Sequence, residues 1–394
     1  MAEQLKRRIG LGLLTAYGVG VMIGAGIYVL VGAVAAEAGA NAPLAFLLAG
    51  LIAAPSALSY AEFSTRIPEA AGEAAYVEKG FGIPALGLLV GLAIVAAGTI
   101  SAAAVLKGGV GYLLSILPMP ETVGILLAGS LLIGVAVIGV LESLALAAVF
   151  TLIEVVGLAL VIWAGFSAPA TPEYITPEAM HLGGVAAAAV LAFFAFIGFE
   201  DIVNMAEEVD RPEYTLPRAI ILSLVITSLI YALVSWGAIR AVPIADLAGS
   251  TKPLALVWQA GQGGDARFLS AIAVFAALNG VLAQIVMAAR VMFGLGRRHP
   301  SLSVFHQAHP KLGTPVIATL VVGALVFAGA LFLPLAMLAE ATSTILLTVF
   351  VIVNLALIVI KRSTPQAAFR VPVAVPVFGV IAAGLALIAN IAGA

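Results

Sequence analysis

Again and again this 394-residue chain runs through twenty or more residues with hardly a charge. A helical run of that length covers the ~30 Å hydrocarbon core of a bilayer at ~1.5 Å per residue. The pattern predicts an all-α integral membrane protein of eleven transmembrane helices, over residues 11–36, 42–64, 84–116, 122–141, 143–168, 183–208, 218–240, 267–295, 314–333, 336–360 and 372–393. Transmembrane β-barrels need short alternating segments, whereas these runs are continuously apolar. With 63% hydrophobic and only 10% charged residues, the chain has too little charge to cover a soluble surface. The start, MAEQLKRRIGLGLL, imitates a secretory signal, but its apolar run of about 25 residues exceeds the usual 7–15 and is read as a retained first span. Cysteine is absent, which excludes disulfide scaffolds and cysteine-held metals. His299, His306 and His309 share one polar connector, read as a solvated loop rather than a metal site.

Lysine and arginine set the orientation. With the N-terminus inside, the inner loops hold Lys6–Arg8, Arg66, Lys79, Arg211, Arg218, Arg297, Arg298, Lys311, Lys361, Arg362 and Arg370. The outer loops hold Arg240, Lys252 and Arg267, and two of them, Ser167–Gly184 and Val242–Arg267, have room for a short surface helix. The expected placement is a multi-pass cell (inner) membrane protein with a cytoplasmic N-terminus and an extracytoplasmic C-terminus.

Two of the spans are interrupted. Gly24-Ala25-Gly26 sits in the middle of span 1, and Gly198, followed by Glu200, weakens span 6. Breaks at corresponding places in two halves point to a transporter's binding site. The repeat unit is then five spans, and five is odd, so the second copy enters the membrane from the opposite side. The predicted units are 1–168, the first repeat; 183–360, the inverted second repeat; and 372–393, an extra helix. At a mid-membrane break, backbone groups lose their helical partners and cannot face lipid. Amides near Gly26 and Ile27, at a positive helix end, suit a carboxylate. Carbonyls of Met22 and Ile23, and those near Phe194 and Ile197, suit an ammonium. Together they fit an amino acid. The competing reading is that Gly24 and Gly26 merely let helices pack closely.

Several stretches together resemble the amino acid–polyamine–organocation (APC) superfamily of transporters. GVGVMIGAGIYVLVG is similar to their span 1, PEAAGEAAYVEKGFG to the loop between spans 2 and 3, and FTLIEVVGLALVIWAG to span 5. FFAFIGFEDIVNMAEEVDRPEYTLPRAI resembles span 6 and the loop after it, especially in the cationic amino acid transporter branch. The resemblance implies the LeuT-type 5+5 inverted-repeat fold, alternating access, and transport of amino acids or related amines. It places Ile23, Gly24, Ala25, Gly26 and Ile27 around the substrate backbone, Phe194 as an aromatic gate and Ile197 against the substrate. Family members usually have twelve or more spans, and they often carry a lysine in span 5 where this chain has Glu154. In sodium-dependent relatives span 8 supplies hydroxyls beside span 1; here its one hydroxyl, Ser270, is near the outer end, so protons are the expected coupling ion.

Intramembrane ionisable groups are functional candidates by default. Glu154 and Glu200 are the coupling candidates. The alternatives are a structural ion pair of Glu154 with Arg290 and a helix-end role for Glu200. Asp201 is expected to face the bundle and pair with a neighbour, Lys107 to snorkel outward, and Glu207, Glu208, Asp210 and Arg211 to form a solvated helix end. The reading is a permease for neutral L-amino acids, probed against an exchanger, a non-transporting sensor of the same fold, a channel and an enzyme. An enzyme would gather His, Asp or Ser–Lys groups at one depth, and none gather here. A channel would want a polar lining. Amino acid, protons and membrane lipid are the implied partners. No nucleic acid, cofactor or metal enters, and a homo-oligomer or accessory subunit is left open.

Overall fold

A computed structural model describes residues 9–24, 26–67, 72–114, 116–138, 144–175, 180–206, 209–310, 312–364 and 366–393. Lys6–Arg8, Ala25, Glu207, Glu208 and Lys311, all invoked above, lie outside the described residues, as does the start of the 68–82 motif.

The described chain is all helix. Span 1 divides into α1 (Leu11–Ile23) and α2 (Gly26–Ala38), and a turn with Gly39 at φ +57° leads to α3 (Ala42–Arg66). Then come a short helix, α4 (Gly72–Phe81), and the long α5 (Pro84–Leu113). α6 (Glu121–Ile138) and α7 (Leu144–Ser167) complete the first half, and α8 (Pro172–Ile175) lies in the connection. Span 6 is α9 (Leu182–Phe193) followed by two 3-10 segments, Phe194–Phe196 and Glu200–Met205. α10 (Pro212–Ala241) leads to two short helices, α11 (Ile244–Gly249) and α12 (Pro253–Gln262), in the loop expected to hold one. α13 (Arg267–Arg298), α14 (Val316–Phe332), α15 (Leu335–Ser363) and α16 (Ala374–Gly393) finish the chain.

Nine helical stretches among the described residues are long and apolar enough to cross a membrane, and α1 and α14 are shorter apolar helices. The protein is thus an all-α, multi-pass membrane protein. Large apolar side chains face outward along it, among them Leu51, Leu127, Leu131, Phe378 and Ile388. On a soluble monomer so large an apolar surface would be a liability; against lipid it is the required solvent face.

Helix limits follow the hydropathy to within a few residues, with two departures. α10 begins at Pro212 rather than 218. Pro217 is accommodated close to the helix start, where it removes one hydrogen bond and not a central one. α4 occupies a stretch read as loop. Lys79 in its last turn complements the helix dipole, and Ala74, Ala75, Tyr76 and Val77 of the helix are buried.

Packing is pairwise between halves: α3 lies along α10, α5 along α13, α2 against α9 and α6 against α14. The end of the bundle that carries Ile9 is tied down by ions. Lys361 Nζ meets Glu62 Oε2 and donates to the Val371 carbonyl, and the Val371 amide donates to the same Glu62 oxygen at 2.9 Å. Arg66 binds Glu62 Oε1 through Nε at 2.9 Å and the Thr364 carbonyl through an Nη at 2.6 Å. α3 is thereby fixed to the strap joining α15 and α16. At the opposite end, two cations close helix C-termini. Lys107 Nζ donates to the Ala330 and Leu333 carbonyls at the end of α14, each at 3.2 Å, with Glu121 at 3.7 Å, and Arg240 donates to the Gly165 and Ala168 carbonyls at the end of α7. Lys107 therefore caps a helix.

Candidate functional site

The two interruptions meet. α1 ends at Ile23 because Gly24 turns to φ 28°, ψ −150°, a conformation that side chains with a Cβ rarely adopt. Its N–H still donates to the Gly20 carbonyl at 3.3 Å, so α1 stays hydrogen-bonded to its last residue. α2 restarts at Gly26, leaving the first-turn amides of Gly26, Ile27 and Tyr28 without intrahelical acceptors. A Cβ on Gly26 would stand 3.1 Å from Ala195 Cα. In span 6 the helix tightens into the 194–196 turn, Ile197 goes extended (φ −60°, ψ 133°) and Gly198 reaches φ 125°. A Cβ there would lie 2.7 Å from Val21 Cγ1 and 3.2 Å from the Met22 amide nitrogen. The glycines thus permit both the turns and the close approach.

A tyrosine from α10 seals the junction. Tyr231 Oη stands 2.6 Å from the Met22 carbonyl oxygen and 2.8 Å from that of Ala195. One hydroxyl proton serves two acceptors, so neither carbonyl is fully satisfied. The ring is fixed edge-on by Phe46 and Phe196 at centroid distances of 5.7 and 5.2 Å. Below α2, Tyr112 Oη donates to the Tyr28 carbonyl at 2.5 Å.

The residues expected at the site are brought together in part. Met22, Ile23, Gly24, Gly26 and Ile27 line the break in span 1, and Phe194 and Ile197 that in span 6, all buried. Ala25 lies outside the described residues. Glu154 is buried on α7, and its partner is an amide rather than Arg290: Asn279 Nδ2 of α13 donates to Glu154 Oε1 at 3.2 Å, while Oε2 has no hydrogen-bond partner. The next residue, Gly280, passes the break so closely that a Cβ would lie 3.5 Å from Gly24 Cα, and Gly20 packs on Thr151 one turn from Glu154. Glu154 and Asn279 therefore flank the same side of α1. Glu200 Oε2 accepts the Gly198 N–H at 3.0 Å, a bond that folds its side chain back onto the break. Asp201 accepts from Gln284 Nε2 of α13 at 3.0 Å.

Asn279, Gln284 and Tyr231 escaped the sequence reading, which looked for ionisable groups in apolar spans and passed over neutral amides and a phenol. An Asn and a Gln in the run SAIAVFAALNGVLAQIV were the available signal, since a buried amide needs a partner.

Two broken crossings that face each other in a helical membrane protein are the architecture from which carriers build a binding site. The chain belongs to the amino acid permease family, whose model matches residues 9–393, within the APC superfamily. It is a membrane-embedded amino acid transporter of the permease type. Its relatives include the branched-chain amino acid permease BcaP of Bacillus subtilis, 30% identical over 94% of this chain and 84% of the relative. The methylthioribose transporter of the same organism is 31% identical over 98% of this chain and 88% of its own length. The vacuolar cationic amino acid transporter 4 of Arabidopsis thaliana is 30% identical over 92% of this chain and 65% of its own length. The similarity is spread over several kinds of carrier and does not single out the cationic branch.

Proposed function

We propose that the protein is a proton-coupled symporter that carries neutral L-amino acids into the cell by alternating access. The helices form a LeuT-type 5+5 inverted repeat, residues 1–168 and 183–360, with 372–393 as an added helix. The N-terminus is cytoplasmic, and the end carrying Ile9, α4 and the Glu62–Lys361 pair faces the cytoplasm. The pairing of α3 with α10, α5 with α13 and α6 with α14, each a span with the span five later, supports the repeat. The arginine and lysine bias supports the orientation.

The observation that carries the reading is the abutment of Gly198 on Val21 and Met22, with Tyr231 between the Met22 and Ala195 carbonyls. Carbonyls sharing one proton have capacity left for the substrate ammonium, and the first-turn amides of α2 have it for the carboxylate. Ile23, Ile27, Phe194 and Ile197 give the side chain apolar walls, which favours neutral cargo, and the branched-chain permease among the relatives makes such amino acids the first to test. Coupling falls to Glu154, which is buried within a span, held by one amide and has one oxygen free. Glu200 is the second coupling candidate.

Proteoliposomes preloaded at pH 7.5 and diluted to pH 6 test this. Accumulation of leucine, isoleucine, valine or alanine that collapses with a protonophore is the expected result. Flux that requires amino acid on both sides would replace symport with exchange. Binding without flux would indicate a sensor, and neither binding nor flux of any amino acid or amine would overturn the proposal.

A further inference from the structure

One buried acid has no role in that scheme. Glu73 sits at the second position of α4 and is 2% exposed. Among the described residues it makes no ion pair, and its Oε1 has no hydrogen-bond partner. Two further buried carboxyls, Glu200 and Asp201, stand on the segment after the span 6 break. The Glu200 charge acts on Glu73, and that of Glu73 on Asp201. Tyr60 of α3 lies among them, its ring 5.8 Å from Phe199 and 6.2 Å from Tyr76. Its hydroxyl is fully buried, feels both Glu73 and Glu200, and completes no hydrogen bond of normal geometry.

The charges on neighbouring elements have other engagements. On α3, Glu62 holds Arg66 and Lys361, the latter from α15. On α4, Glu78 holds Arg298 of α13, and Lys79 has an interaction of its own. Arg290 of α13 bears on the Tyr17 hydroxyl of α1, opposing the effect of Asp201 there, and has a further interaction. Gln284 is taken by Asp201. On α5 the one charged residue, Lys107, is at the far end on carbonyls at the end of α14. Arg362 stands exposed at the end of α15. Among the described residues no cation is paired to these three buried carboxyls, so Glu73 meets only like charge there.

We propose that Glu73 is a proton-binding site of the gate at this end of the protein: it holds a proton while α3, α4 and the 200–205 segment are packed together, and releases it when they part and water enters. The proposal deepens the alternating-access reading and rests on it. Burial pushes the Glu73 carboxyl up from 4.5 to about 8, with the Glu200 charge adding to the rise. In the hydrated, open gate it returns to its ordinary value. Closure is then favoured in full below that ordinary value, and the preference is lost as pH climbs to about 8. Alkaline pH opens this gate.

The protein has no cysteine, so Val203→Cys places the single thiol within the closed gate, and Ala260→Cys places a reference thiol on the exposed surface. Maleimide labelling in detergent at pH 6 and pH 8, taken as the ratio of the 203 to the 260 rate, cancels the thiol's own titration. The ratio should rise more than about tenfold between these pH values with Glu73 present, stay flat in Glu73→Gln, and rise again in Glu73→Asp. A flat ratio with Glu73 present overturns the site even where Glu73→Gln does not fold, as does a rise that survives Glu73→Gln. Saturating leucine separates the two levels of the argument. If leucine changes labelling at 203 while the pH ratio is flat, only the proton site fails. If leucine binds and labelling never responds to it, alternating access fails, and the site with it.

Discussion

Tyr231 and Met22 are 209 residues apart in sequence, yet the phenol of one lies 2.6 Å from the carbonyl oxygen of the other. That oxygen is free because Gly24 ends α1 two residues on; a continuous helix would have committed it to an amide one turn ahead. The same phenol reaches the Ala195 carbonyl, so a single side chain from α10 registers both broken spans. Tyr231→Phe keeps the ring contacts with Phe46 and Phe196 and deletes only the hydroxyl. Leaving buried carbonyls unpaired costs about 1–3 kcal/mol. The variant should unfold at lower temperature in the absence of substrate and bind leucine several-fold more weakly. Thermal unfolding with and without leucine checks both, and wild-type values in both would remove Tyr231 from the site.

Gly198 carries two constraints at once: a backbone at φ 125° and a surface against Val21. Gly198→Ala forces a strained conformation, about 1–3 kcal/mol, and pushes a methyl into span 1. Gly134 on α6 has open space around its Cβ position, and Gly134→Ala should be neutral or raise stability by about 0.5–1 kcal/mol. Transport should therefore vanish in the first variant and persist in the second. Comparable uptake by the two, at matched membrane expression, would show that the breaks do not need to touch.

Much of this was open to inspection in the sequence, for reasons specific to membranes. Every span must be apolar for about twenty residues, so helix limits show up directly in hydropathy. Gly24 and Gly198 stand out because each weakens its helix in mid-span with a second signal beside it, Gly26 for the one and Glu200 for the other, and both do end helical segments. Partner choice was less open. Glu154 pairs with Asn279 and not with Arg290, because which faces of α7 and α13 meet depends on helix rotation, and apolar residues all around a span leave rotation undefined. α4 went unseen because it is short, too polar to register as a span, and packed against α5 and α15 rather than marked by hydropathy.

Glu154 has one oxygen bonded to Asn279 and the other bare, inside a span. Glu154→Gln preserves the shape and the amide contact but holds no exchangeable proton. Exchange of leucine across the membrane at equal pH should continue within about threefold, since it needs no net proton movement. Accumulation driven by an inward proton gradient should fall at least about tenfold. Asn279→Ala should retain the gradient response and shift its pH midpoint, because it changes the surroundings of the proton site rather than removing it. Gradient-driven accumulation by the Gln variant equal to wild type would transfer coupling to Glu200 or Glu73.

The ion pair of Glu62 with Lys361 is buried on both sides, with Arg66 as a second cation on the same carboxylate. Removing one member strands the other, and an uncompensated buried charge costs about 3–5 kcal/mol. Lys361→Met leaves Arg66 to neutralise Glu62, which puts its cost at the low end of that range, whereas Glu62→Gln leaves two cations without a counter-charge and keeps one acceptor oxygen for the donors that two now share. The order of melting temperatures should be wild type, then Lys361→Met, then Glu62→Gln. Because the carboxylate anchors the strap before α16, the Glu62 variant should also expose that strap to protease, near Thr364 to Val371, under conditions where the rest of the chain is intact. Limited proteolysis in detergent reads this directly. Equal melting and equal cleavage in the three proteins would mean that the packing of α16 on α3 and α15 holds the strap without the ions.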